Sequence, residues 1–173
     1  MTNYEIASSI LTNDFADITY PTEPGNVLTD IIQSPEQLMK SKKGHCWEQT
    51  ELARHLLNRK NVPNKSYFLD CVCNDAGNTC THALIVFESE SCFYWFEHAW
   101  EAQRGIRRYD SLEELLSDVK NKFAAEEKAG GRPGEIFRMR EYDAPNLPCP
   151  HMEYFYHCLK GREINVDFGG GAK

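Results

Sequence analysis

The sequence predicts an α+β fold in which one helix packs on an antiparallel sheet, and two kinds of periodicity carry that prediction. After a glycine at Gly44, apolar or small side chains recur at helical spacing over residues 46–57. Runs rich in β-branched, aromatic and cysteine residues then indicate three strands, over 67–73, 81–89 and 92–100. Short segments of turn-forming residues separate these runs, which favours an antiparallel meander.

The remaining elements are predicted by shorter signals. Ser34 before Pro35, and Ser111 three residues before Glu114, are typical of helix starts. Together with the apolar patterns, these signals predict helical segments near residues 6–11, 27–33, 35–41, 112–123 and 152–159, and a further strand over 136–142.

Composition limits the class of partner and the compartment. A chain of 173 residues is long enough for one domain, residues 1–173, with a full core. Its net charge of −7 and scattered basic residues argue against a nucleic-acid partner. The N-terminal sequence lacks a secretory signal and no apolar run reaches membrane-spanning length, so we expect a cytoplasmic protein without a membrane partner. Seven cysteines, an odd number, predict reduced thiols rather than a disulfide framework.

Cys46 is the main candidate for chemistry, because the periodicity places it in the first turn of a helix. Unpaired N–H groups and the helix dipole favour an anion at that position, so we expect a populated thiolate there. The same N–H groups can receive a developing oxyanion. A lone cysteine is more often a buried packing residue, so the catalytic interpretation depends on its partners.

A nucleophilic thiol needs a base within hydrogen-bond reach and a third group that orients the base. His82 opens the second strand, and Glu97 and His98 lie near the end of the third. If the connection at 90–91 is an even-numbered hairpin loop, Glu97 lies diagonal to His82 on one face; an odd-numbered loop brings His98 there instead. We favour Glu97, because a carboxylate fixes the imidazole tautomer and stabilises its cation.

Three segments resemble the bacterial branch of the transglutaminase-like superfamily, which has a papain-like cysteine proteinase fold. They are Gly44-His45-Cys46-Trp47-Glu48-Gln49, Thr81-His82-Ala83-Leu84-Ile85-Val86 and Tyr94-Trp95-Phe96-Glu97-His98-Ala99-Trp100. The resemblance covers about residues 35–125, and it leaves residues 1–34 and 131–173 as extensions of unknown role.

The resemblance implies acyl transfer on a peptide, protein or small amide substrate, by hydrolysis, deamidation or cross-linking, with no cofactor. Cys46 would be the nucleophile, His82 the general base and acid, and Glu97 the third member, where the family most often has aspartate. His45 and Trp47 flank the nucleophile and, with His98, are the predicted substrate-binding residues.

Two alternatives remain. Cys71, Cys73, Cys80 and His82 could form a structural zinc site if Cys73 faces Cys80 and Cys71 faces His82 across a hairpin. The domain could also be a non-catalytic peptide-binding module, in which the aromatic residues of 93–100 line a groove.

Overall fold

The computed structural model describes residues 1–23, 29–73, 79–132 and 134–166, and these residues form helices around a central sheet. The helices are α1 (Asn3–Ser9), α2 (Pro35–Ser41), α3 (Cys46–Arg59), α4 (Leu112–Ala129) and α5 (His151–Leu159). The strands are β1 (Ile31–Ile32), β2 (Asn64–Cys73), β3 (Thr79–Ser89), β4 (Cys92–Glu97), β5 (Gly105–Tyr109), β6 (Gly134–Tyr142), β7 (Cys149–Pro150) and β8 (Arg162–Ile164). The protein is therefore an α+β fold, as the sequence predicts.

The central sheet of the described residues has six strands in the order β5-β4-β3-β2-β6-β8. Each neighbouring pair is antiparallel, so the predicted meander of β2, β3 and β4 is confirmed. Strands β1 and β7 pair with each other in a separate antiparallel ribbon. The site described below lies where this ribbon approaches the beginning of α3.

The register of β3 and β4 is fixed by a two-residue turn. Ser89 lies opposite Cys92, and Glu90 and Ser91 between them adopt left-handed backbone angles, with φ of 50° and 62°. Two consecutive residues with positive φ make the kind of turn that matches the twist of a hairpin. The predicted even-numbered loop is thus confirmed, and with it the side of the sheet on which Glu97 lies.

The register of β2 and β3 differs from the one on which the zinc alternative depends. Cys71 lies opposite Cys80, and Leu69 lies opposite His82, so the pairing of Cys71 with His82 that the zinc alternative requires is not formed. A slip of two residues leaves each side chain on the same face, and the hydrophobic pattern therefore cannot detect it. The connecting residues 74–78, predicted as a turn, lie outside the described residues.

Both faces of the sheet are covered by helices. Ile85 and Phe87 of β3 pack with α1 and α3 on one face. Leu84 and Val86, which alternate with them, pack with α4 on the other face. Successive residues of a strand point to opposite faces, and two covered faces explain the nearly continuous apolar run of β3.

The two terminal segments pack against α3. Ala7 and Phe15 from the N-terminal segment lie in one buried cluster with Leu52 of α3. Tyr154 of α5 lies in another buried cluster with Trp47 at the beginning of α3. The parts of residues 1–34 and 131–173 that the structure describes therefore help to form the surroundings of the candidate nucleophile.

Some predicted elements are confirmed and others are wrong. Ser34 and Ser111 cap α2 and α4, accepting hydrogen bonds from Gln37 N at 3.3 Å and Glu114 N at 3.1 Å. The helical turn expected over 27–33 lies partly outside the described residues, and its described part contains β1, because two β-branched isoleucines pair with β7. Strand β5 was not predicted, and the helix start at Asn3 was seen only as a weak pattern.

The described cysteines differ in burial and in oxidation state. Cys46 and Cys92 are free and partly exposed, Cys149 and Cys158 are free and buried, and Cys71 is buried. Cys80 is disulfide-bonded, so the expectation that the thiols are reduced is wrong for this residue.

In the part of the chain that is described, no helix has the length and apolar character needed to cross a membrane.

Candidate active site

Cys46 is the first residue of α3, at the place that the periodicity predicts. The helix begins there because Glu48 Oε2 accepts a hydrogen bond from His45 N at 2.9 Å, which satisfies one of the free donors of the first turn. Gly44 lets this turn lie close to α2, since an added Cβ would be 2.6 Å from Leu38 Cδ1. A side chain at residue 44 would therefore force Leu38 to move.

His82 and Glu97 form a buried pair on neighbouring strands. The distance from His82 Nε2 to Glu97 Oε2 is 2.8 Å. The other carboxylate oxygen, Oε1, accepts a hydrogen bond from Trp100 N at 3.0 Å, so both oxygens of Glu97 have donors. Trp100 and Phe123 also lie against the imidazole, at 5.3 and 6.3 Å between ring centres. The carboxylate and the two aromatic rings hold the imidazole in one orientation.

The third member of the constellation is the Cys46 thiol, which lies close enough to the His82 ring to act on its pKa. Because Nε2 is occupied by Glu97, the nitrogen that faces the sulfur is Nδ1. Burial alone would lower the pKa of His82, but the Glu97 charge and the contacts with Cys46 outweigh burial and raise the pKa to about 10. The imidazole is therefore stabilised as a cation between a carboxylate and a sulfur.

The structure thus brings Cys46, His82 and Glu97 together, with His82 between the other two. His98 lies outside this group, beside Gln49. His98 Nδ1 lies 2.7 Å from Gln49 Oε1, on the side of the sheet that faces α3. Since Gln49 Nε2 donates to Gly44 O at 2.7 Å, Oε1 is the acceptor, and Nδ1 of His98 carries the proton. Burial, followed by the nearby charge of Arg104, lowers the pKa of His98 to about 4.

A cavity of about 540 Å³ opens next to the sulfur. Its walls come from the N-terminal segment, β1, the beginning of α3 and the beginning of α5. Among the lining residues are Tyr20, His45, Cys46, Trp47, Thr81 and His151. Two of the predicted substrate-binding residues, His45 and Trp47, therefore line the cavity, whereas His98 packs against Gln49 and the ring of Phe15.

Trp47 connects α3 to α5. Its ring stacks on Tyr154 at 4.9 Å between centres, with 16° between the planes, and lies 4.4 Å from the His151 ring. Only 6% of the residue is exposed, so most of the indole serves packing and one edge borders the cavity. This stacking is the reason that the C-terminal helix reaches the site.

Glu48 connects the beginning of α3 to the β1 ribbon. Its Oε1 accepts hydrogen bonds from Gln33 N at 3.0 Å and Gln33 Nε2 at 2.9 Å, in addition to the bond from His45 N to Oε2. Burial tends to raise the pKa of Glu48, but hydrogen bonds from His45 and Gln33 outweigh burial and lower it. An ionised Glu48 thus fixes one wall of the cavity to the helix that carries Cys46.

Sequence reasoning missed Tyr20 and His151 as cavity residues. Both residues lie in the extensions, 1–34 and 131–173, to which the sequence assigned no role. His151 N donates to Asp30 O at 3.0 Å, a contact that joins parts of the chain far apart in sequence. No local pattern encodes such a contact, and the only available signal was the proximity of His151 to the predicted aromatic helix.

The zinc arrangement is not formed as expected. Cys80 is in a disulfide and His82 Nε2 is bonded to Glu97. Within the described residues, no group of three or more His, Cys, Asp or Glu side chains is arranged to hold a metal ion. The side chain of Cys73 lies outside the description.

Comparison with known proteins adds no assignment to this geometry: no protein-family model matches the chain, and no curated protein matches it at a significant level.

Proposed function

We propose that this protein is a thiol-dependent acyltransferase or amidohydrolase of the transglutaminase-like, papain-like kind. Cys46 is the nucleophile, His82 the general base and acid, and Glu97 the residue that orients His82. One observation carries the proposal: the His82 ring lies between the Cys46 thiol and Glu97 Oε2, 2.8 Å from that oxygen, beside an open cavity.

In the first half of the reaction, the Cys46 thiolate attacks the carbonyl carbon of an amide. The C–S bond forms, the carbonyl π electrons move to oxygen, and N–H groups of the first turn of α3 stabilise the oxyanion. The C–N bond then breaks, and Nδ1 of the His82 cation gives its proton to the departing nitrogen. The products of this half are a thioester, a neutral imidazole and an amine or ammonia.

In the second half, water or an amine attacks the thioester, and neutral His82 accepts the proton of the attacking group. The C–S bond breaks and the thiolate and the imidazole cation are restored. Hydrolysis, deamidation and cross-linking share this thioester, and they differ only in the leaving and attacking groups.

The test of the proposal is an acylation burst with p-nitrophenyl acetate. We expect one equivalent of p-nitrophenolate, and a gain of one acetyl group on Cys46 by mass spectrometry. Cys46→Ala should abolish the burst. Cys92→Ala is the matched control, because Cys92 is the other free and partly exposed thiol among the described cysteines, and this variant should retain the burst. A wild-type protein without a burst, or a burst that survives Cys46→Ala, would refute the proposal.

The acceptor is identified in a second assay. A blocked glutaminyl-glycine dipeptide is incubated with the protein, with and without hydroxylamine. A hydroxamate indicates transfer to an amine, release of ammonia in its absence indicates deamidation, and release of glycine indicates peptide hydrolysis. Each product should disappear in Cys46→Ala and persist in Cys92→Ala.

A further inference from the structure

Tyr20 is held next to the nucleophile by the backbone that precedes it. Thr19 N donates to Lys42 O at 2.9 Å, and Gly44 N donates to Thr19 O at 3.1 Å. These bonds form a parallel bridge between Thr19 and Lys43, just before α3 begins. The backbone of Tyr20, the residue after Thr19, is therefore held close to the first turn of the helix.

The side chain of Tyr20 lies against His45, in the wall of the cavity that Cys46 also lines. Its ring meets the ring of His45 edge-on, at 5.1 Å between centres and 87° between planes, and it lines the same cavity as Cys46. Partial burial, followed by the charges of Cys46 and Glu48, raises the pKa of Tyr20 well above its usual value, and the nearby backbone N–H of Cys46 opposes this shift. The Tyr20 hydroxyl thus keeps its proton, and it lies near the backbone N–H of Cys46, which we expect to donate a hydrogen bond to the oxyanion.

An oxyanion at this place needs a second donor, and the nearest amide side chain on α3 is already occupied. Gln49 Nε2 donates to Gly44 O, and Gln49 Oε1 accepts from His98. We propose that Tyr20 supplies this second donor: when the thiolate attacks, the Tyr20 hydroxyl leaves the Cys46 N–H to the substrate oxygen and donates its own hydrogen bond to that oxygen. No proton is transferred, so Tyr20 remains a phenol throughout.

This inference rests on the proposed function and deepens it, because it adds a residue that touches the reacting oxygen. Two probes separate the two claims. N-acetylglycinal, a small aldehyde, adds to a thiol as a hemithioacetal whose oxygen lies at the oxyanion position. Iodoacetamide alkylates the same thiol without forming an oxyanion. Loss of the Tyr20 hydroxyl should therefore affect the first reaction and spare the second.

The experiment compares the full-length wild-type protein with Tyr20→Phe and Tyr4→Phe. Tyr4 is a matched control, since it lies in the same N-terminal segment and is 41% exposed, against 45% for Tyr20. Binding of N-acetylglycinal is measured as protection of Cys46 against iodoacetamide. We expect Tyr20→Phe to weaken the aldehyde about tenfold, the value of one hydrogen bond, and to slow acylation by p-nitrophenyl acetate about 10²-fold or more. The rate of alkylation by iodoacetamide should change by less than about threefold, because no oxyanion forms in that step for the hydroxyl to stabilise. An unchanged alkylation rate also shows that the site of the variant is folded.

Three results would overturn the inference. If Tyr20→Phe binds the aldehyde as well as wild type and Tyr4→Phe do, the hydroxyl is not a donor, although the proposed function stands. If Tyr20→Phe accelerates both probes, Tyr20 covers the nucleophile instead. If wild-type Cys46 reacts with neither probe faster than Cys92, the proposed function itself fails, and the role of Tyr20 fails with it.

Discussion

His82 and His98 are two buried imidazoles close to the same hairpin, and their surroundings give them opposite properties. His82 lies between a carboxylate and a thiol, and its pKa is raised to about 10. His98 bonds to an amide oxygen, packs on the ring of Phe15, and has a pKa lowered to about 4. At neutral pH one imidazole is therefore cationic and the other neutral. The comparison shows that the partner, more than the depth of burial, decides the charge of a histidine.

The largest expected effect distinguishes the two histidines by activity. His82→Asn removes the group that carries the proton, so the rate of the p-nitrophenyl acetate burst should fall by about 10²–10⁴-fold. His98→Asn is the matched control, because an asparagine amide can still donate to Gln49 Oε1, and we expect a change of less than about threefold. Stopped-flow measurement of the burst provides both rates. Equal losses in the two variants would contradict the assignment of His82.

The second-largest expected effect tests whether the Glu97 carboxylate orients His82. Glu97→Gln offers a single oxygen where two are used, by His82 Nε2 and by Trp100 N. We expect the burst to slow by about 10²-fold, because the wrong tautomer or a neutral imidazole then faces the sulfur. The pKa of His82, followed by NMR of the imidazole, should fall from about 10. Glu101→Gln, at an exposed carboxylate nearby, should change neither quantity.

The third effect concerns stability and belongs to His98. His98→Leu leaves Gln49 Oε1 buried without its donor, and we expect a loss of about 1–3 kcal/mol in the free energy of unfolding. His98→Asn keeps a donor at that place and should cost less than His98→Leu. Urea unfolding of the two variants measures the difference. A leucine variant as stable as the asparagine variant would mean that the hydrogen bond contributes nothing.

The smallest effect is the pH dependence of stability. The unfolded chain protonates His98 near pH 6.5 and the folded protein only near pH 4, so its contribution to stability is lost as the pH falls between these values. For His82 the order is reversed, and its contribution is full below pH 6.5 and lost as the pH rises toward 10.

Between pH 7 and 5.5 we therefore expect His98 to lower the free energy of unfolding by at most about 1 kcal/mol after allowance for solvent, a loss that the contribution of His82, still increasing as the pH falls, partly offsets. Urea unfolding at the two pH values measures it. His98→Asn should flatten this part of the profile and leave the alkaline part unchanged. If the free energy of unfolding of His98→Asn falls as steeply between pH 7 and 5.5 as that of the wild type, groups other than His98 cause the loss.

The sequence predicted those features that local rules determine. Helical periodicity placed Cys46 at a helix start. Hairpin geometry left Glu97 or His98 as the neighbour of His82, and the chemistry of the imidazole favoured Glu97, which is the residue found there. Both inferences depend on residues close together in sequence. The role of each residue in catalysis stays a prediction that the burst assay tests.

The remaining features depend on contacts between distant residues. The register of β2 and β3 was left open by the sequence, and it differs by two residues from the one that the zinc alternative requires, because such a slip preserves the hydrophobic pattern. Tyr20 reaches the cavity through the bridge of Thr19 to Lys43, and His151 reaches it through the stacking of α5 on Trp47. The spacing of nearby residues does not encode either contact, so the sequence alone could not identify Tyr20 and His151 as residues that line the cavity.

The hydrogen bonds of Glu48 to Gln33 determine where the functional unit begins. A shortened chain starting at residue 35 would keep the thiol, the imidazole and the carboxylate, yet it would lack the strand and the tyrosine that enclose the space in front of them. Such a fragment would display an open thiol that discriminates poorly between acyl donors. Under the proposed function, we therefore expect selectivity to depend on residues upstream of the segments that hold Cys46, His82 and Glu97.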